Sequence, residues 1–164
     1  MSDKRTKERR FLVDRMLGPL CRYLRFMGYD TECASSYREG NKKEDTLLLT
    51  RAQYEHRILL TKDRELAKRG ENLAILMSGE DVIGQIRQLT GLGLIDPELR
   101  LNRCSICNEY LRKATREEIK GTEYAPQDRD GLRFYWCRRC RKLYWMGSHG
   151  RNLEKRIRKG LENS

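Results

Sequence analysis

Three short apolar runs, each giving way to an acid and then to a helical pattern, constrain this chain more than any other feature. Phe11-Leu12-Val13 ends on Asp14, and Gly18-Pro19 then opens a helix. Leu17, Leu20, Cys21, Leu24 and Met27 recur there at the i, i+3, i+4, i+7 spacing of one buried face, with Gly28 at the C-terminal cap position. Arg57-Ile58-Leu59-Leu60-Thr61 leads to Asp63 and a short helix ended by Gly70. Leu73 to Met77 leads to Glu80-Asp81 and a helix presenting Val82, Ile83, Ile86 and Leu89 on one side. Between the first two of these units, Tyr29 to Cys33 reads as a strand and Ala34 to Lys43 as a polar loop. Glu44-Asp45 then opens a helix with Leu47, Leu48 and Ala52 inward, running to about His56, its acids favourable for the N-terminal dipole. Strands alternating with helices of this length imply βαβ units and a parallel sheet covered on both faces, so residues 10–91 read as one α/β domain.

The remainder has a different composition. Residues 92–103 read as a linker, residues 104–148 as a cysteine-bearing module and residues 149–164 as a basic helical tail. Of the net charge of +11, residues 101–164 carry +8, so the surface that attracts polyanions is concentrated there. No run approaches the ~20 apolar residues of a membrane span, and Met1 to Arg10 lacks the apolar stretch of a signal peptide. The expected location is therefore cytoplasmic, with no membrane partner. In a reducing compartment six cysteines argue for metal ligation rather than a disulfide framework.

Four cysteines are suitably spaced. Cys104-Ser105-Ile106-Cys107 and Cys137-Arg138-Arg139-Cys140 are two C-x-x-C pairs separated by 29 residues, and two such knuckles complete a closed tetrahedral site. Structural zinc is favoured over iron–sulfur or redox chemistry, and the long spacing makes Thr115 to Arg133 an excursion from a zinc ribbon. Cys21 and Cys33 read as small buried residues rather than ligands. Trp136, Arg138, Arg139, Arg141, Lys142 and Trp145 surround the second knuckle, an interleaving of rings and cations that suits stacking on unpaired bases and contact with phosphate. The same rings would also serve to pack a ribbon that has little other core.

Singly, each acid has an ordinary account: Asp63 as a helix cap, Asp45 as a partner of a helix dipole, Glu80 and Asp81 as both. Jointly they say more. Asp14, Asp63 and Glu80-Asp81 all follow strands that should be parallel, and they must then share one edge of the sheet. With strands ~4.8 Å apart, acids on neighbouring strand ends approach closely enough to need a cation or a proton. An all-oxygen site suits Mg²⁺ or Mn²⁺, which can orient a phosphodiester and generate a hydroxide nucleophile. Neither a Gly-rich P-loop nor a G-x-S-x-G elbow is present, and His56 and His149 have no evident catalytic partner.

The run Phe11 to Tyr29 with Met16-Leu17-Gly18-Pro19-Leu20-Cys21-Arg22-Tyr23-Leu24-Arg25, the segment Leu59 to Leu66, the two knuckles, and Tyr144-Trp145 before Gly147-Ser148-His149 together resemble the Mut7-C RNase domain family. That resemblance implies a PIN-like three-layer α/β domain with a central parallel sheet, followed by a small Cys₄ zinc ribbon and here by a basic helix. It implies metal-dependent cleavage of RNA, with ribosomal and transfer RNA as candidate substrates. Carried over by position, Asp14, Asp45, Asp63 and Asp81 are the expected Mg²⁺ or Mn²⁺ ligands and catalytic acids, with Glu44 and Glu80 as substitutes. Arg22 and Arg25 are expected to help the ribbon seat RNA. The chain departs from the family pattern at Arg15, Gly150 and Ala34-Ser35-Ser36, and Arg15 could pair with Asp14. The rival expectation is a non-catalytic, ribosome-associated RNA-binding protein.

Overall fold

The computed structural model describes residues 9–34 and 42–162; Ser35 and Ser36, part of the expected polar loop, lie outside them. Its centre is a four-stranded parallel sheet in the order β2-β1-β3-β4, formed by β1 (Arg10–Val13), β2 (Asp30–Cys33), β3 (Ile58–Thr61) and β4 (Ala74–Leu76). Phe11, Leu12 and Val13 are all fully buried because the sheet has a helical layer on each face. Phe11 and Val13 point to one layer, with α1 (Gly18–Phe26) and α4 (Val82–Gly91), whereas Leu12 points to the other, with α2 (Lys42–Tyr54) and α3 (Arg64–Gly70). β3 repeats the division, Leu60 facing the first layer and Leu59 the second. Two-sided burial explains why these strands read as continuous apolar runs rather than alternating ones. Each such side chain contributes about 1.5–3 kcal/mol.

The connections place the site. From β1 the chain crosses through α1 to β2 on one side, whereas from β3 it crosses through α3 to β4 on the other. The direction of winding therefore reverses between β1 and β3, and at such a switch point the two connections diverge to leave a crevice beyond the strand carboxyl ends. Asp14 stands there, immediately beyond β1, and Asp63 two residues beyond the end of β3.

The cysteine module carries a three-stranded antiparallel sheet of β5 (Arg112–Lys113), β6 (Phe134–Cys137) and β7 (Lys142–Trp145), with α5 (Arg116–Lys120) on the excursion between β5 and β6. It is fastened to the α/β layers by buried polar contacts. Asn108 donates to Asp30 at 2.7 Å and accepts from the Thr31 amide at 3.1 Å, and Arg103 donates to the Gly28 carbonyl at 3.2 Å. Gly28 sits at φ +94°, a backbone state that costs glycine little, and an added Cβ would stand 2.7 Å from Asn102 Oδ1. Residues 92–103 pack Ile95, Leu99 and Leu101 inward. α6 (Ser148–Glu162) returns to the α/β layers, setting Leu153, Ile157 and Leu161 against the first core.

One sequence expectation is overturned. Cys21 and Cys33 form a disulfide, with Cα atoms 6.2 Å apart. Cys21 lies on the buried face of α1 and Cys33 at the end of β2, and the packing of α1 over that edge of the sheet brings the two sulfurs together. Their separation of 12 residues follows no ligand or redox motif, so spacing alone left them unpaired.

Candidate active site and metal centre

Asp14 is 7% exposed and doubly held. Its Oδ1 accepts from the Arg15 amide at 2.7 Å, and its Oδ2 accepts from the Thr61 hydroxyl at 2.7 Å. Thr61, itself fully buried, also accepts from the Asp63 amide at 3.0 Å, so one hydroxyl ties the two strand-end acids together. Sequence reasoning passed over Thr61 as a strand former; its place two residues before Asp63 was the available signal. Arg15 touches Asp14 through its backbone only: its side chain is exposed and, among the described residues, enters no ion pair. The sequence alternative of an Arg15–Asp14 pair is therefore not what the structure holds.

Asp63 caps α3, Oδ1 accepting from the Glu65 and Leu66 amides at 2.9 and 3.2 Å, which leaves Oδ2 for another partner. Asp45, in the first turn of α2, has a side chain 13% exposed with Arg69 4.0 Å away. Burial pushes its carboxyl up, and the negative charges of Asp63, Asp14 and Glu44 add to that, opposed by Arg69. The charges of Asp63 and Asp14, from two other elements, thus act on Asp45. Asp81 is placed differently. It is exposed, beyond β4 and so one strand farther from Asp14, where it caps α4 by accepting from the Gly84 amide at 2.8 Å. Glu80 is exposed beside it, and Glu44 is half-buried on α2. The four cysteines are the group among the described residues whose ligand atoms all lie within 4.8 Å of one another; the carboxylates are spaced more widely.

In the cysteine cluster, Cys107 Sγ and Cys137 Sγ are 3.5 Å apart, and the Cys140 amide donates to Cys137 Sγ at 3.4 Å. Tyr144 Oη lies 3.1 Å from Cys104 Sγ, an outer contact that orients a ligand. Burial pushes the Cys104 thiol up, but the Tyr144 hydroxyl and the amides of Cys107 and Ile106 outweigh it and bring the thiol down to about 7. Burial and the neighbouring sulfurs of Cys107 and Cys104 push Cys140 up to about 12. Four soft sulfur donors drawn this close can hold a metal such as zinc, since a bound cation would favour all four as thiolates.

The expected RNA contacts are divided. Arg22, Arg138, Arg139 and Arg141 are exposed. Arg25 is 6% exposed, and its guanidinium donates to the carbonyls of Thr31, Ser105 and Ile106 at 2.8, 3.0 and 3.0 Å. It therefore takes a structural role, joining the cysteine module to α1 and β2, rather than the expected RNA contact. Trp145 stacks on Tyr124 with ring centroids 6.1 Å apart and meets Phe134 at 5.8 Å, while Trp136 and Lys142 are half-buried.

The family model described as Mut7-C RNAse domain matches residues 9–157, nearly the whole chain. The chain belongs to the Mut7-C RNAse domain family. Comparison with curated proteins and with solved structures finds no match. The matched region of this Mut7-C RNAse domain protein takes in the switch-point acids, all four clustered cysteines and most of α6. Membership indicates a nuclease-type function, with RNA as the implied substrate. No helix among the described residues is long and apolar enough to cross a membrane.

Proposed function

We propose that the protein is a Mg²⁺- or Mn²⁺-dependent ribonuclease that hydrolyses RNA phosphodiesters at the crevice between β1 and β3. What supports this reading is the pairing of Asp14 and Asp63 through Thr61 beyond β1 and β3, with the Asp45 carboxyl of α2 raised first by burial and then by the charges of Asp63 and Asp14. The donor set fits a hard divalent cation: it consists of carboxylate oxygens, with Asp63 Oδ2 uncommitted and lone pairs left on both Asp14 oxygens. Such an ion supplies Lewis acidity and a hydroxide nucleophile when bound.

The chain's own residues position that chemistry. Thr61 and the Arg15 amide fix the rotamer of Asp14, and the α3 amides fix Asp63, so two acids are aimed before substrate arrives. Asp45 completes the set from α2, while Asp81, with Glu80 as its substitute, stands at the outer margin of the same sheet edge. The zinc-held ribbon presents Arg138, Arg139 and Arg141 to RNA.

The test is cleavage of an unstructured RNA by purified protein across a Mn²⁺ titration, with Asp14→Asn alongside. Asp14→Asn should lower turnover by at least about 100-fold, with circular dichroism and a cooperative melting curve showing that the variant is folded. Undiminished turnover by that variant removes the reading; RNA binding without any Mn²⁺-dependent turnover by the wild type favours the rival, a non-catalytic RNA-binding protein.

A further inference from the structure

A groove of about 960 Å³ runs between α1, the ribbon sheet and the start of α6. Its wall is built from rings and aliphatic side chains, among them Phe26, Tyr124 and Trp145, and its rim carries Lys142, Arg151 and Arg156. No acid lines it. Tyr124 is 54% exposed and forms the outer member of the stack on Trp145. A wall of rings with Lys142, Arg151 and Arg156 around it complements a strand whose bases are unpaired and whose backbone is anionic.

α6 runs from this groove to the start of α4. Its first turn borders the groove, and its far end lies against the start of α4: a Cβ placed on Gly160 would stand 2.7 Å from Ile83 Cγ2, two residues beyond Asp81. The carboxyl end of α6 therefore lies at the start of α4, beside Asp81 at the outer margin of the sheet edge beyond which the other acids stand. Arg151, Lys155 and Lys159 follow one another at i, i+4, i+8 on the exposed side, with Arg156 beside them, a run of about 12 Å at 1.5 Å per residue. None of the four enters an ion pair among the described residues. An anionic membrane would also attract this helix, but it would need the apolar face, and Leu153, Ile157 and Leu161 are already committed to the core. A strand of RNA requires only the cations.

We propose that the groove and the basic side of α6 form a continuous track that holds single-stranded RNA at the ribbon and delivers it to the switch-point acids. The inference rests on the nuclease reading and adds to it a substrate form and a path. Single strands are selected because paired bases cannot reach the ring-lined wall.

The experiment uses the full chain carrying Asp14→Asn, so that binding is read without turnover, and compares it with the same chain also carrying Arg151→Ala, Lys155→Ala, Arg156→Ala and Lys159→Ala. All four side chains are exposed, so the fold should survive, and the melting temperature checks it. Fluorescence anisotropy with an unstructured 20-nucleotide RNA is recorded over a salt series. Each phosphate contact contributes about 0.7 to the log–log salt slope, so the quadruple variant should lose about 3 from the slope and bind at least tenfold more weakly. A blunt RNA duplex should compete poorly. An unchanged slope and affinity, or a duplex that competes as well as the single strand, overturns the track. Failure of the nuclease reading looks different: the wild type would bind the single strand with the full salt slope but never cleave it in Mn²⁺, and the track would stand as a binding surface.

Discussion

Replacing Thr61 by valine probes the candidate site through one hydroxyl. That hydroxyl is fully buried, donates to Asp14 Oδ2 at 2.7 Å and accepts from the Asp63 amide at 3.0 Å. A hydrogen bond to a charged group contributes about 1.5–3 kcal/mol and one between neutral groups about 0.5–1.5 kcal/mol, so Thr61→Val should cost about 2–4 kcal/mol. For a chain of 164 residues this lowers the melting temperature by about 5–15 °C. Asp14 keeps the Arg15 amide but loses the donor on its other oxygen, and RNA cleavage should fall by about 10–100-fold, the usual cost of removing a group that orients a metal ligand. Thr61→Ser separates the causes. It retains the hydroxyl and loses one buried methyl, about 1 kcal/mol, and should cleave within a few-fold of wild type. Urea denaturation and a Mn²⁺-dependent cleavage assay on the three proteins decide the matter. A valine variant within about 0.5 kcal/mol of wild type, or a serine variant as inactive as the valine one, refutes the bridging role.

Two further outcomes follow from the charges. Asp45→Asn should cut cleavage by at least about 100-fold yet raise thermal stability at pH 7. The folded state holds the Asp45 carboxyl above its ordinary value, so its ionisation opposes folding; the stability advantage of the asparagine variant should be absent well below pH ~4 and open as pH rises through the elevated value, read by melting curves across pH. Asp30 behaves in the opposite sense. Despite the opposing effect of burial, hydrogen bonds from Arg57, Asn108 and Arg10 bring its carboxyl down to about 2, so it stabilises the fold above pH ~4 and that stability is lost as pH falls toward about 2. Its side chain is 22% exposed, and with solvent screening allowed for the contribution is about 1–2 kcal/mol, which Asp30→Asn should remove from the acid-unfolding profile.

The strand–acid–helix alternation made the parallel sheet legible, because two-sided burial leaves continuous apolar runs such as Phe11 to Val13, and an acid at the end of a strand has a defined place once the strands are parallel. The strand order was not legible in any periodicity, yet it is what sets β1 beside β3 and so Asp14 beside Asp63. Charge in a sequence carries no depth: Arg25 and Arg22 look alike in the chain, but one is buried against three carbonyls and the other exposed. A hydroxyl that bridges two acids is invisible in a strand that would favour threonine anyway, which hid Thr61. The i, i+4, i+8 spacing of Leu153, Ile157 and Leu161 marks an apolar face on α6, but only packing shows that the face is spent on the α/β core, freeing the basic side for another task. Cys21 and Cys33 failed for a related reason, since a helix residue and a strand residue meet through tertiary packing and not through local spacing.

The central claim is that Asp14, Asp45 and Asp63 hold the divalent ion that cleaves RNA. Anomalous diffraction from crystals soaked in Mn²⁺ tests it most directly, with the zinc signal separated by wavelength. A manganese peak is expected in the crevice between β1 and β3, with oxygens of Asp14 and Asp63 at about 2.0–2.2 Å, lost in Asp14→Asn. Saturating Mn²⁺ that leaves the crevice without a peak, or that binds only at Glu80-Asp81, contradicts it.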